Sequence, residues 1–221
     1  MSDREKMIRS PILGSDAELV TVLVFEEKTD HRDMAIYQAY LDGLHNQELA
    51  NAMNRRYFRE ATALFSNYLH KVDEGAINIT FLSNYTLKAN NGITAAIEHS
   101  LFIAEASGTQ TLRYNNLDMK NEYYITLPSL FKNDTYIERI SQEIKRQIAY
   151  QMTATPGAVY YTDENAFHEI TPTQPFYINN AHNLIIVFDQ YTIAPGFMGT
   201  PDFLIPTTVI SDLLANHLYI D

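Results

Sequence analysis

The chain has 221 residues, 46% of them hydrophobic, a length and composition that suit one domain or two closely packed lobes with a substantial core. It contains no cysteine, which excludes disulfides, thiolate metal sites and a cysteine nucleophile. Sixteen basic against 27 acidic residues give a net charge of −11, which opposes nucleic-acid binding; such a charge keeps a protein soluble and would also attract a cationic partner.

The first 17 residues are predicted to form a polar, partly disordered leader. They hold no apolar core followed by a small-residue cleavage site, so we expect no export signal in the chain as given. No stretch of the sequence reaches the roughly 18 to 20 apolar residues that cross a bilayer, and we expect no membrane span.

Two strands and a helix are predicted next. β-branched and apolar residues indicate a strand over 18–25, and a second extended segment over 35–41 ends at Asp42-Gly43. A helix is predicted over 46–70 because apolar residues recur every three or four positions and share one face. These are Leu49, Met53, Tyr57, Ala61, Leu64 and Tyr68.

A block of three long strands follows, over 76–89, 92–106 and 109–119. Asn90-Asn91-Gly92 and Ser107-Gly108 separate them. Because Asn and Gly tolerate positive φ, both breaks indicate hairpin turns of an antiparallel meander.

The second helix is the best-defined element of the sequence. Thr135 and Glu138 form the pattern of a capping box, and Pro156-Gly157 end the helix. Its apolar stripe consists of Ile137, Ile140, Ile144 and Ile148.

The C-terminal part is predicted to contain a hairpin of strands 175–178 and 183–191 and a short helix over 209–220. Hairpin-joined strands with helices on one side predict an α+β fold with antiparallel sheets. We expect two closely packed lobes, 18–107 and 108–221, after the leader 1–17.

The sequence lacks the common signatures of nucleophile, phosphate and zinc sites. Its one dense polar segment is Asp163-Glu164 followed by His168-Glu169, which could hold a metal but is more typical of a solvated connector. A glycosidase needs two carboxylates about 5 to 10 Å apart, and among 27 acids no spacing singles out a pair. We therefore predict no catalytic residue, no metal and no cofactor.

The stretch QYTIAPGFMGTPDFLIP (190–206) combines three prolines and two glycines with large apolar side chains. Exposed aromatic and Met side chains on a loop braced by glycines are typical of a binding surface. The alternative is that Phe197 folds back onto the core and Tyr191 is an interior strand residue. The predicted partner-binding residues are Tyr191, Pro195, Phe197, Met198 and Phe203.

Three segments together resemble a known bacterial family. They are YTIAP (191–195) with its following Ile-Pro, the segment GTQTLRYNNLDMKNEYYITLPSLF (108–131), and YQAYLDGLHNQELANAMNRR (37–56). The pattern resembles the ectodomain family of the anti-sigma-V factor RsiV, whose relatives include the non-catalytic N-terminal region of some peptidoglycan deacetylases. The resemblance covers about residues 18–218. Relatives commonly carry an aromatic residue directly after the Ala-Pro, where this chain has Gly196 and then Phe197.

The resemblance implies a two-part α+β fold whose C-terminal part is similar to a subdomain of heat-shock chaperone ATPases. ATP binding is not implied, because the chain has no phosphate loop. It also implies an extracytoplasmic location and no catalysis, although the sequence itself leaves a cytoplasmic location open. One branch of the family binds c-type lysozyme, a strongly basic protein that an acidic surface would suit.

We therefore expect a binding or sensing module whose partner is a protein, with c-type lysozyme as one candidate, or a cell-wall glycan. Two other functions stay open at this point. One is a hydrolase of cell-wall polysaccharide or an accessory domain of one, and the other is a structural module attached to a catalytic or membrane partner.

Overall fold

Two β-sheets form the centre of the protein in a computed structural model that describes residues 4–221. The large sheet has seven strands in chain order, antiparallel except for the β3–β4 pair, which is parallel. The helix α1 (Gln47–Asp73) makes the crossover between those two strands. The strands are β1 (Met7–Pro11), β2 (Glu18–Lys28), β3 (Arg32–Asp42), β4 (Ile79–Asn90), β5 (Thr94–Ala104), β6 (Gly108–Asp118) and β7 (Tyr123–Ile125).

The helix α1 covers one face of the large sheet. Its N-terminus is capped by Asn46, whose side chain accepts the Leu49 N–H at 3.1 Å. The predicted apolar stripe is confirmed: Met53, Tyr57, Ala61 and Tyr68 are buried. Tyr57 and Tyr68 pack edge-on against Tyr85 and Phe81 of β4 respectively.

A second, three-stranded sheet lies against the opposite face of the large one. It consists of β8 (Phe176–Ile178), β9 (Leu184–Val187) and β10 (Asp202–Ile205), in the order β10-β9-β8 and antiparallel throughout. Alternate residues of β9 face opposite ways, so one face packs on the large sheet through Ile185 and Val187. The helix α2 (Thr135–Ala154) covers the other face and shares a core with Leu184 and Ile186.

The molecule thus has four layers: α1, the large sheet, the small sheet and α2. This arrangement is the α+β fold in two packed lobes that the sequence predicts. The proposed lobe boundary at 107/108 is wrong, because β6 and β7 complete the large sheet. The core of the small lobe begins at Ile125. The likeness of that lobe to a chaperone ATPase subdomain stays a prediction.

The N-terminal segment is not the leader that its polar composition suggests. Residues 7–11 form β1 at the edge of the large sheet, paired with β2, and Ile12 is buried in the core beneath it. The partly buried positions of β1 are Ile8 and Ser10, whereas Met7 is exposed, so apolar and polar residues do not alternate and a periodicity test misses this short edge strand. Residues 1–3 of the predicted leader lie outside the described residues.

Two predicted helix features differ in the structure. No capping box forms at α2, because Asn133 Oδ1 accepts the N–H and hydroxyl of Thr135 at 3.0 and 2.6 Å, while Glu138 bonds Gln142. The predicted helix over 209–220 is short: α3 spans Thr207–Ile210 and a 3₁₀ turn spans Ser211–Leu213. The chain then leaves the helix because Leu214, Tyr219 and Ile220 fold back into the core of the small lobe. Across residues 4–221, no helix is long and apolar enough to cross a membrane.

Candidate functional site: the aromatic loop

The segment between β9 and β10, residues 188–201, forms a closed loop that we call the aromatic loop. Its two ends meet where the Phe188 N–H donates to the Pro201 carbonyl at 2.8 Å. Within it, Gly196–Met198 form a single 3₁₀ turn that ends at Gly199, whose φ of +67° places it in the left-handed region. The loop is thus a compact, turn-rich projection, as its prolines and glycines predict.

The structure separates the five predicted contact residues. Phe197 stands at the tip of the 3₁₀ turn with 72% of its surface exposed, and Tyr191 is about half exposed. Pro195 and Met198 are partly buried, Met198 against the core of the small lobe. Phe203 is 1% exposed and packs edge-on against the Phe188 ring in that core.

Phe203 is therefore not part of the surface, and its prediction as a contact residue is wrong. It lies in β10, a strand that the loop-like composition conceals, and its side chain points inward with Ile205. The alternative prediction, that Phe197 folds back onto the core and Tyr191 is an interior strand residue, is wrong as well. Phe197 projects into solvent, and Tyr191 lies in a turn with φ of +68° rather than in a strand.

The base of the loop is fixed by burial on the small lobe. Ile193 and Ala194 of the family motif lie in its core, and the Ile193 carbonyl accepts the Tyr161 N–H at 3.0 Å. The Tyr191 ring lies directly over Gly196: a Cβ atom placed there would come within 2.2 Å of it. Gly196 therefore makes room for the Tyr191 ring.

An open cavity of about 600 Å³ lies beside the aromatic loop, walled on its other side by the connector 165–175. At its edge Arg113 of β6 forms an ion pair with Asp189 at 2.8 Å, joining the two lobes. His168 and Glu169 line the wall.

The dense polar segment singled out in the sequence does not gather into a metal site. Asp163 is occupied in its own turn, where its carboxylate accepts the Asn165 N–H at 2.9 Å. Among residues 4–221, no group of three or more His, Asp and Glu side chains is placed to hold a metal ion. The segment is therefore a loop that is stabilised by hydrogen bonding within its own turn and that borders the cavity.

A polar cluster under α1 was not foreseen from the sequence. His99 of β5 stacks on Tyr85 and shares a hydrogen bond of 2.8 Å with the buried Ser83 hydroxyl. The Tyr85 hydroxyl donates to Glu60 at 2.8 Å. Burial lowers the pKa of His99 to about 4.

Ser83 is 2% exposed, so its hydroxyl is not presented to solvent as the nucleophile of a Ser–His pair would be. Its members come from α1, β4 and β5, far apart in sequence. Only the fold brings them together, so no spacing in the sequence could have revealed them.

Large exposed rings also occur away from the aromatic loop. Phe58 on α1 is 57% exposed and Tyr150 on α2 is 65% exposed. Exposure alone therefore does not mark a binding residue. What distinguishes Phe197 is its place on a turn fixed at both ends.

The chain is similar to known proteins in sequence and in fold. The sequence profile of DUF3298, a protein family of unknown function, matches residues 128–208, which include the whole aromatic loop. The chain is 36% identical to the anti-sigma-V factor RsiV of Bacillus subtilis over 220 residues, which are 98% of this chain and 77% of that protein.

Two solved structures share the fold. One is a DUF3298-family protein of Bacteroides fragilis, with a TM-score of 0.66 and 14% identity, covering 92% of this chain and 96% of that one. The other is a DUF3298-family protein of Pseudomonas aeruginosa, with a TM-score of 0.66 and 12% identity, covering 96% of this chain and 99% of that one. At these identities the likeness concerns the fold alone.

Proposed function

The chain belongs to the RsiV-like DUF3298 family, and on that premise we propose that it is a non-enzymatic recognition module resembling an anti-sigma factor ectodomain. It binds a protein ligand outside the cytoplasm through the aromatic loop. The ligand class that we favour is a basic protein of the c-type lysozyme kind, and a cell-wall glycan is the competing ligand.

The exposed Phe197 ring at the tip of the loop carries this proposal. A Phe side chain that moves from water into a partner's pocket stabilises a complex by about 1.5 to 3 kcal/mol. On a flexible loop, much of that gain is offset by the entropy lost on ordering. The closed base and the single turn of the aromatic loop keep that loss small, with Met198 and Pro195 beside the ring as further apolar surface.

The charge of the chain supports a basic ligand. With a net charge of −11, long-range attraction accelerates encounter with a cationic protein and weakens as salt screens it. The association rate of an uncharged glycan would not be raised by the electrostatic field of the protein. Raising the salt concentration should therefore lower the association rate for the protein ligand while leaving glycan binding unchanged.

Calorimetric titration with a c-type lysozyme, and with a peptidoglycan fragment as the comparison, tests the proposal. We expect lysozyme to bind, and Phe197→Ala to weaken binding at least tenfold without lowering the melting temperature. Phe58→Ala is the matched control, because it removes an equally large exposed ring from α1 and should leave the affinity unchanged.

Two results would contradict the proposal. One is a fragment that binds while lysozyme does not, with affinity indifferent to Phe197. The other is sugar released when the protein is incubated with peptidoglycan, which would support a hydrolase.

A further inference from the structure

Strand β6 has an open edge next to the aromatic loop. Its partner β7 pairs only with residues 116–118, so the N-terminal two thirds of β6 has a strand on one side only, β5. In an antiparallel pair, alternate residues direct their backbone groups away from the neighbouring strand. On β6 the even-numbered residues do so, as the N–H groups of Gln110 and Leu112 show by donating to side chains outside the sheet.

Side chains of the aromatic loop take the place of the missing strand along this edge. Three consecutive residues contribute. Asp189 accepts the Leu112 N–H at 3.3 Å, Gln190 accepts the Gln110 N–H at 2.8 Å, and the Tyr191 hydroxyl lies 3.5 Å from the Gly108 carbonyl oxygen. Without them, backbone donors of β6 would lie unpaired at a sheet edge.

Gln190 is the member of this set whose side chain hydrogen-bonds both to β6 and to the turn at the tip of the loop. While its Oε1 accepts the Gln110 N–H, its Nε2 donates to the Gly196 carbonyl at 2.7 Å. Gly196 is the first residue of the 3₁₀ turn that carries Phe197. A single amide side chain thus joins the large sheet to the turn at the tip, using its acceptor on one side and its donor on the other.

We propose that Gln190 is the positioning residue of the recognition surface: it ties the Phe197 turn to the open edge of β6 and holds the ring in its binding orientation. The inference rests on the proposed function for its biological meaning. The mechanical part, that Gln190 restricts the motion of residue 197, stands on the two hydrogen bonds. Tyr191, half exposed but engaged with Gly196 and Gly108, belongs to the same brace and not to the contact surface.

The absence of tryptophan from the chain permits a direct test. Phe197→Trp places a single indole at the tip, and its time-resolved fluorescence anisotropy reports local motion with no ligand present. Gln190→Glu keeps an oxygen for the Gln110 N–H but loses the donor to Gly196. We expect the fast, local part of the anisotropy decay to grow at least twofold in this variant, while amide exchange at Gln110 stays slow.

Two further variants complete the design. Gln190→Met has a side chain of similar length but no amide, so it should lose the hydrogen bonds to both Gln110 and Gly196. Indole motion and amide exchange at Gln110 should then both increase, the exchange rate about tenfold. Gln174→Glu is the matched control, because the Gln174 amide donates to the Val187 carbonyl at 2.6 Å in the same lobe. It should leave the indole unchanged.

Equal indole motion with and without the Gln190 changes would overturn the inference. This readout does not involve a ligand, so a negative lysozyme titration would refute the proposed function and leave the positioning role intact. Where lysozyme does bind, Gln190→Glu should weaken binding about tenfold at an unchanged melting temperature. Unaltered affinity despite a looser indole would show that the position of the ring does not matter for binding.

Discussion

Phe197 and Phe203 are six residues apart, yet one projects into solvent and the other lies in the core. The difference follows from the short strand β10, in which Phe203 and Ile205 face inward while Asp202 and Leu204 face outward. The sequence does not show this alternation, because the outward-facing Leu204 is apolar like its neighbours. The surrounding prolines and glycines also hide it, because they favour a loop over a four-residue strand.

These two positions should therefore respond in opposite ways to truncation. Phe203→Ala opens a cavity in a closed core and should lower the free energy of unfolding by about 3 to 5 kcal/mol. Phe197→Ala removes an exposed ring and should change it by no more than about 0.5 kcal/mol. Urea unfolding of both variants checks this. Similar losses at the two positions would mean that Phe197 packs inward in solution.

His99 should make the protein sensitive to mild acid. Its pKa is about 4 in the fold and 6.5 in the unfolded chain, so the fold favours the neutral ring. Its contribution is present above about pH 6.5 and is lost as the pH falls towards 4, on the order of 2 to 3 kcal/mol in total. The charged groups around it are Glu60 and Arg56 of α1 and Arg113 of β6.

The pH dependence of urea unfolding checks the role of His99. His99→Gln can keep a hydrogen bond to Ser83 but does not titrate, so its stability should fall less than that of the parent between about pH 6.5 and 4. Parallel pH curves for the two proteins would assign the acid sensitivity to other groups.

The N-terminus of α1 is capped from a distant element. Glu122, in the turn between β6 and β7, accepts the backbone N–H groups of His45 and Asn46 and the His45 ring. Burial alone would raise its pKa, but these hydrogen bonds outweigh that effect and hold the pKa below 4.5. A carboxylate at this end of a helix also interacts favourably with the helix dipole.

Removing this charge should destabilise α1 and the sheet together. Glu122→Gln should lower the free energy of unfolding by about 1 to 2 kcal/mol at neutral pH. Because Glu122 stabilises the fold only while it is ionised, the difference in unfolding free energy between parent and variant should disappear as the pH falls below 4.5. Glu48→Gln, in the exposed first turn of α1, is the control. A gap that persists in acid would contradict the capping role.

The sequence predicts helices and strands well where the apolar pattern repeats over many residues. It predicts them poorly where tertiary contacts determine the local structure. The two long helices and the meander β4–β6 are found within a few residues, since each repeats its pattern over ten or more positions. The helix caps are not predicted correctly. The Thr135–Glu138 pattern is present in the sequence, but in the structure Asn133 accepts the hydrogen bonds from Thr135. Likewise the apolar residues after Ser211 look helical, although they are buried by folding back on the lobe.

At the scale of the whole molecule, the two lobes are joined in two ways. Tyr114 and Leu112 of the large sheet pack on Tyr177 and Val187 of the small one, and the ion pair of Arg113 with Asp189 lies at the rim. Sequence patterns assign residues to strands but not strands to sheets, which is why the predicted boundary fell between β5 and β6. The surface of the aromatic loop depends on this joint, because the Asp189 and Gln190 side chains of the loop accept backbone N–H groups of β6.

Amide hydrogen exchange of the protein with and without saturating c-type lysozyme tests the central claim most directly. If recognition occurs at the tip of the aromatic loop, exchange at the amides of Gly196, Phe197, Met198 and Gly199 should slow on binding, while amides around Phe58 on α1 remain as they were. Protection confined to other parts of the surface, with the tip unchanged in the complex, would contradict it.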